Sequence, residues 1–166
     1  MSDHPFIAAD YHIKWESLTP DHIEPDIDTA LETSNKNLDA IRQLDDVDVT
    51  YSNTFAALEI ATEDLDRAWG RINHLDSVVN SDDLRAGLNA VLPRVTSFYS
   101  SIPLDDKIWK KLKVFVDSPA ATNLDPTRKR FVEETCADFI QSGADLPDDK
   151  KKRIAEIQSR LSEATQ

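Results

Sequence analysis

Glycine, cysteine and long apolar runs are the scarcest features of this 166-residue sequence. Three glycines are too few for the turns of a β-sandwich or barrel, or for a glycine-rich phosphate-binding loop. The one cysteine, Cys136, excludes an internal disulfide and a cysteine metal site. No apolar run approaches the ~20 residues that cross a bilayer, and the first residues lack the pattern of a secretory signal. We therefore expect a protein of a reducing compartment, most simply the cytoplasm.

Basic charge is also in short supply. Lys and Arg number 19 against 31 Asp and Glu, so the formal net charge is −12. This excess of negative charge disfavours binding to nucleic acid or to an anionic membrane surface. Hydrophobic residues make up 40% of the chain, which at this length is enough for one domain with a core. The composition predicts one domain, or one domain with an appendage, and neither a nucleic-acid nor a membrane partner.

Apolar residues recur at helical spacing along most of the chain, and no alternating strand pattern competes with them. Capping residues and prolines place helix starts near residues 19, 53, 81, 105, 125 and 147. We predict an all-α fold of about six antiparallel helices. An extended N-terminal segment over residues 1–18 precedes a helical domain over residues 19–166.

Three residues mark special points in these helices. The second predicted helix runs unbroken from about residue 53 to Val79, with Gly70 inside it at a cost of roughly 1 kcal/mol unless another backbone packs there. Pro93 predicts a kink in the third helix. Gly143 occupies the position where a left-handed residue ends a helix. Leu65 and Leu88 belong to the predicted core.

The four histidines, His4, His12, His22 and His74, are the strongest metal-ligand candidates in the sequence. None of them forms the H-E-x-x-H pattern that places two imidazoles one helical turn apart on zinc. His74 lies beside an apolar stripe, and we interpret it as a hydrogen-bonded structural histidine rather than a catalytic one. Cys136 lies within a predicted helix without a histidine nearby in sequence, which favours a buried, inert thiol over a nucleophile.

Charged clusters have structural interpretations too. Asp45, Asp46 and Asp48 resemble a cation loop, but the loop lacks the central glycine of an EF-hand and is interpreted as solvated. The basic run at residues 150–153 follows two aspartates that can pair with it at i,i+4 and is interpreted as a solvated helix face rather than a polyanion site. The basic turn at residues 109–113 is too short to anchor an acidic protein on a membrane. The residues themselves identify no catalytic, cofactor-binding or metal-binding side chain.

Several dispersed segments nevertheless resemble one known family. Residues 18–25, which read LTPDHIEP, are similar to the opening of the oligopeptidase A / thimet oligopeptidase family of zinc metallopeptidases. Residues 72–85, INHLDSVVNSDDLR, resemble a further segment of that family. The similarity continues in order through residues 92–93, 138–147 and 152–162, and the bacterial oligopeptidase A branch resembles this chain most.

The resemblance implies a part rather than a whole enzyme. Members of the family are several times longer, and their N-terminal helices form one wall of a channel that admits short peptides. Their zinc site, H-E-x-x-H with a downstream glutamate, belongs to a later catalytic region, where the metal activates water and the motif's glutamate acts as general base. The resemblance therefore assigns no catalytic, zinc-binding or substrate-contacting residue to this chain, and it implies a sequence truncated before the catalytic region.

We thus expect a non-catalytic N-terminal portion of such a peptidase, inactive alone, with zinc confined to the missing region. Its expected partners are that catalytic region and, in the complete enzyme, short peptides. The alternative is a self-contained helical module that binds a protein or peptide without chemistry. If a partner region is missing, Ile154, Ile157, Leu161, Tyr11 and Trp15 are the expected exposed apolar residues, and weak self-association should follow.

Overall fold

The computed structural model describes residues 3–79 and 81–164, and these residues form α-helices and short 3₁₀ turns without a β-strand. The predicted all-α class is confirmed. The α-helices are α1 (Ile23–Arg42), α2 (Phe55–Ile60), α3 (Glu63–Val78), α4 (Asp82–Ser101), α5 (Asp106–Val116), α6 (Pro126–Ser142) and α7 (Asp148–Ala164).

Helix α1 lies at the centre of the structure. It packs against α2, α3, α4 and α5, while α4 also contacts α3 and α7. The fully buried side chains come from these helices and from Phe6 near the N-terminus; the largest are Phe6, Phe55, Phe115, Ile23, Ile27, Leu38, Ile41, Leu65, Ile72, Ile108 and Leu112. The apolar stripes predicted for the first, third and fourth helices supply much of this core, whereas Leu88 is only half-buried.

The residues before α1 are irregular. Two 3₁₀ turns, Trp15–Ser17 and Pro20–His22, lead into the helix. Pro25 lies in the first turn of α1, where its missing N–H removes no intrahelical hydrogen bond. Because the 3₁₀ turn Pro20–His22 comes first, α1 begins a few residues later than the capping signal at residue 19 predicts.

The prediction of one long second helix is wrong. Helix α2 ends at Ile60, and α3 begins at Glu63. Between them, the carbonyl of Ala61 accepts a hydrogen bond of 3.1 Å from the side-chain amide of Asn37 in α1. A contact with a distant helix thus satisfies a backbone group at the break. The break leaves Ile60 exposed while Leu65 is buried, and Val79 is exposed just beyond α3.

Most of the predicted helix ends are confirmed. Ser81 Oγ accepts from the backbone N–H of Leu84 at 3.3 Å at the start of α4. Asp105 accepts from the first turn of α5, and Asp125 accepts from the first turn of α6. Gly143 follows α6 with φ of 106°, the left-handed conformation that glycine adopts without strain. Local capping chemistry therefore fixes the boundaries of these helices.

Glycine to alanine substitutions at positions 70 and 143 should change stability in opposite directions. A Cβ at Gly70 would meet nothing within 4 Å, so Gly70→Ala is expected to stabilise the protein by about 0.5–1 kcal/mol. A Cβ at Gly143 would lie 3.0 Å from Ile154 Cδ1, and the alanine would have to keep the positive φ of this position. Gly143→Ala should therefore destabilise the protein by about 1–2 kcal/mol. Urea unfolding of both variants measures the difference. Changes of the same sign and size in the unfolding free energies of the two variants would contradict this prediction.

Candidate functional site

A buried carboxylate attaches the N-terminal segment to α1. Asp26 is fully buried, and its Oδ2 accepts a 2.6 Å hydrogen bond from the backbone N–H of Phe6. The other oxygen, Oδ1, lies 2.8 Å from Nδ1 of His4. Phe6 itself is fully buried in the core. The segment is thus held at this point by one apolar side chain and by hydrogen bonds to one acid.

Two arginines of α3 hold the same segment from the other side. Arg71 is 8% exposed, and its Nη1 donates to the carbonyls of Pro5 and Phe6 at 3.1 and 2.9 Å. Arg67 donates to the carbonyl of Ile7 at 2.9 Å and also pairs with Asp64. Side chains of α1 and α3 therefore bind the N-terminal segment through its backbone N–H group at Phe6 and through its backbone carbonyls at residues 5–7.

An open cavity of about 290 Å³ lies beside this attachment. We name it the N-terminal cavity. Its lining consists of Pro5, Ala8, Asp10, Ile13, Lys14, Glu16, Ser17, Thr19, His22 and Arg71. The N-terminal segment thus contributes most of the wall, and α3 contributes a nearly buried guanidinium.

The charge of Arg71 is destabilised by its surroundings. Burial lowers the pKa of Arg71 below its ordinary value, and the neighbouring charge of Arg67 lowers it further. The carboxylate of Asp10 opposes this shift. A cation in this position would gain from an additional negative partner.

A second groove, of about 340 Å³, separates α4 from α7. We name it the α4–α7 groove; its lining consists of Pro93, Thr96, Ser97, Ser100, Ser101, Leu104, Lys151, Lys152, Ala155 and Gln158. Lys151 is nearly buried and bonds to Asp106 at the start of α5. Gln158 Oε1 is buried without a hydrogen-bond partner in the structure. This groove therefore contains an acceptor that the described residues leave unsatisfied.

The four histidines each contact other side chains of the fold. His22 Nδ1 lies 2.8 Å from Thr19 Oγ1, and the His12 ring packs against Tyr11. Within residues 3–79 and 81–164, no group of three or more His, Cys, Asp or Glu side chains is placed to hold a metal ion. His74 is exposed, and its ring contacts Trp15 at a centroid distance of 5.1 Å. The described contact of His74 is thus an aromatic one, whereas we predicted a hydrogen-bonded histidine.

Burial raises the pKa of two other titratable groups, Cys136 and Tyr99. Cys136 is half-buried, and burial raises the pKa of its thiol, which keeps it protonated and poorly nucleophilic. The Tyr99 hydroxyl donates to Asp66, and burial together with this hydrogen bond raises the pKa of Tyr99. Neither environment resembles that of an activated nucleophile or base.

The clustered charges form structural ion pairs. Asp46 accepts from Lys111 and Lys110, and these hydrogen bonds lower the pKa of its carboxyl. The i,i+4 pairs predicted between residues 148–149 and 152–153 are wrong, because Arg153 instead bonds to Glu156, and the neighbouring Lys151 bonds to Asp106. One of these partners, Glu156, lies on the same helix at i,i+3, and the other, Asp106, lies on α5.

The tryptophan of the basic turn belongs to the interior. Trp109 is nearly buried, donates its indole N–H to Asp145 at 2.7 Å and stacks on Phe139 at 5.7 Å. The membrane-docking interpretation of residues 109–113 requires this side chain at the surface, and the structure places it in the core. No helix among the described residues has the length and apolarity needed to cross a membrane.

Sequence reasoning missed two buried charged residues, Asp26 and Arg71, that hold the N-terminal segment. Both sit at stripe positions of their helices, three residues after Ile23 and Ala68 respectively. A charge at a buried position of an apolar stripe is the one local signal that could have identified them. Their partners, at residues 4–6, are 20–66 positions away in sequence.

Comparisons with known proteins agree on one family. The family described as "Neurolysin/Thimet oligopeptidase, N-terminal domain" matches residues 27–151. Oligopeptidase A of Escherichia coli is 27% identical over 149 residues, which are 90% of this chain and 22% of that protein. Oligopeptidase A of Haemophilus influenzae is 26% identical over 149 residues, with the same coverage. The probable cytosolic oligopeptidase A of Arabidopsis thaliana is 26% identical over 161 residues, 97% of this chain and 23% of the relative. The chain thus spans about a fifth of the length of these relatives.

Proposed function

Since the chain belongs to the neurolysin/thimet oligopeptidase N-terminal domain family, we propose that it is the non-catalytic N-terminal region of an oligopeptidase A-like zinc metallopeptidase. In this role its helices form one wall of the channel through which short peptides reach a zinc site. The chemistry, metal-activated water with a glutamate as general base, is assigned to another region. We also propose a cytoplasmic location, supported by the name of the cytosolic Arabidopsis relative.

The observation that carries this proposal is the position of the family match. The match over residues 27–151 begins within α1, ends within α7 and includes every helix between them. Similarity therefore extends over the packed body of the structure rather than over one short motif. Because the matched relatives are oligopeptidases, a peptide substrate for the complete protein follows from the proposal.

No residue of this chain is given a catalytic or zinc-binding role. The H-E-x-x-H sequence does not occur among the 166 residues. The buried charged side chains Asp26 and Arg71 hold the N-terminal segment in place. Their described contacts are with the chain itself, which suits a structural wall.

Helix α7 is the proposed contact with the catalytic region. Ile157 is 50% exposed and Leu161 is 62% exposed, whereas Ile154 is half-buried near Gly143, so the expected exposure of Ile154 is wrong. The α4–α7 groove beside this helix contains the unsatisfied Gln158 Oε1. The exposure of Ile157 and Leu161 suits a surface that another part of the protein covers.

Sedimentation of the purified chain over a wide concentration range tests this contact. The wild type is expected to self-associate weakly, and the double variant Ile157→Glu with Leu161→Glu should remain monomeric because it places two charges on the exposed face of α7. Val47→Glu, at an isolated exposed position of the Asp46–Asp48 turn, is the matched control and should self-associate like the wild type.

A strictly monomeric wild type would contradict a contact surface on the exposed apolar face of α7, provided that the double variant also keeps the unfolding free energy of the wild type. The self-contained binding module would then explain the structure better. Equal self-association of all three proteins would likewise place the contact elsewhere.

A further inference from the structure

We propose that the N-terminal cavity binds a small zwitterionic carboxylate, an amino acid or a dipeptide, whose carboxylate is held by Arg71 and whose ammonium group faces Asp10 and Glu16. This inference depends on the side chains of the cavity and not on the proposed channel wall. Failure of either proposal therefore leaves the other standing.

Arg71 is incompletely paired within the described residues. Its guanidinium has five N–H donors, but Nη1 alone makes the hydrogen bonds seen among the described residues, to Pro5 and Phe6. Both acceptors are neutral carbonyls, and no described carboxylate forms an ion pair with this side chain. Buried cations in proteins are normally paired with an acid. Arg71 is more than nine-tenths buried and lines the cavity, so an anionic ligand would complete its environment.

The shape and lining of the site favour an organic carboxylate as the anion. A guanidinium presents parallel N–H donors that match the two oxygens of a carboxylate. Pro5, Ala8 and Ile13 add apolar surface to the wall, which favours an organic acid over a hydrated inorganic ion. The volume of about 290 Å³ is at the lower end of ordinary small-molecule pockets and therefore restricts the ligand to a small one.

Negative charge lies in the same lining as Arg71. Asp10 and Glu16 are exposed. The ion pair between Lys14 Nζ and Asp10 Oδ2 is long, at 3.5 Å, and both of its side chains are exposed to solvent. Exposed pairs of this kind contribute little to stability, so a ligand ammonium can compete for the carboxylates. The lining has a nearly buried cation, Arg71, and at its exposed side two acids with one lysine, so both signs of charge are present for a ligand that carries both charges.

Binding of alanyl-alanine to the 166-residue chain tests the proposal. We expect saturable one-to-one binding by calorimetry, with a shift of the Arg71 Nε–Hε resonance in NMR spectra. Alanyl-alaninamide, which differs only by an amide in place of the carboxylate, should bind at least about tenfold more weakly, because it loses the charge-assisted hydrogen bonds. N-acetylalanine, which lacks the ammonium, should bind more weakly than alanyl-alanine and still shift the Arg71 resonance.

A matched pair of variants locates the site. Ala8→Leu fills the cavity without altering Arg71 and should weaken the binding of alanyl-alanine at least about tenfold. Ala9→Leu, at the exposed neighbouring position outside the lining, should bind as the wild type does. Arg71→Lys keeps the charge but loses the parallel donors and should also weaken binding. If Arg71→Lys fails to fold, the Ala8 and Ala9 variants still decide the outcome.

Three results would overturn the proposal. The first is the absence of saturable binding of alanyl-alanine at millimolar concentration. The second is equal binding of alanyl-alanine and inorganic phosphate, which would indicate a general anion site. The third is unchanged binding in Ala8→Leu, which would place the ligand outside the N-terminal cavity.

Discussion

Leu65→Ala is expected to lower the free energy of unfolding by about 2–5 kcal/mol. Leu65 is fully buried in α3, the helix that packs against α1 and α4. Truncation removes apolar contacts and leaves a cavity that a close-packed interior fills only in part. Urea denaturation of the variant and the wild type, with the slope of each transition compared, measures the loss.

The matched control is Val78→Ala at the end of the same helix. Val78 is exposed, so its truncation should change the unfolding free energy by less than about 0.5 kcal/mol. Leu88→Ala should give an intermediate loss, because Leu88 is half-buried against the core. Losses below about 0.5 kcal/mol at both leucines would mean that these stripes face solvent.

Phe6→Ala is expected to cost about 3–5 kcal/mol of unfolding free energy. Phe6 is the fully buried aromatic residue of the N-terminal segment, and its backbone N–H donates to the buried Asp26. Removal of the ring weakens the apolar contact that supports this hydrogen bond and those of Arg71. Thermal and urea unfolding should both show the loss in a single transition.

Tyr11→Ala is the control for Phe6→Ala. Tyr11 lies in the same segment and is 92% exposed, so its truncation should leave stability nearly unchanged. We propose on these contacts that residues 3–18 are an integral part of the fold rather than a removable appendage. A loss at Phe6 as small as that at Tyr11 would support a loosely attached segment instead.

Local chemistry explains which parts of the fold were predictable. Periodicity identified the buried stripes of α1, α4 and α5, and side-chain caps at Ser81, Asp105 and Asp125 fixed helix starts from neighbours three residues away or fewer. The left-handed Gly143 likewise needs only local backbone geometry. Such caps and turns depend only on residues a few positions apart, so the sequence alone is enough to predict them.

The features that were not predicted depend on distant residues. The break between α2 and α3 involves the Ala61 carbonyl and Asn37, which are 24 positions apart. Arg71 reaches the carbonyl of Pro5 across 66 positions, and Lys151 pairs with Asp106 across 45. Such contacts exist only once the helices have packed, so no spacing rule along the chain could place them. For the same reason, the N-terminal cavity had no signature in the sequence.

Hydrolysis of a short peptide by the purified 166-residue chain, with and without a chelator, tests most directly whether this region is non-catalytic. The predicted result is no chelator-sensitive hydrolysis, because the chain has no H-E-x-x-H sequence to bind zinc and activate water. Zinc added to the protein should bind no more tightly than to a surface histidine. Stoichiometric zinc binding together with chelator-sensitive turnover in the pure protein would contradict the assignment and place a catalytic site within these helices.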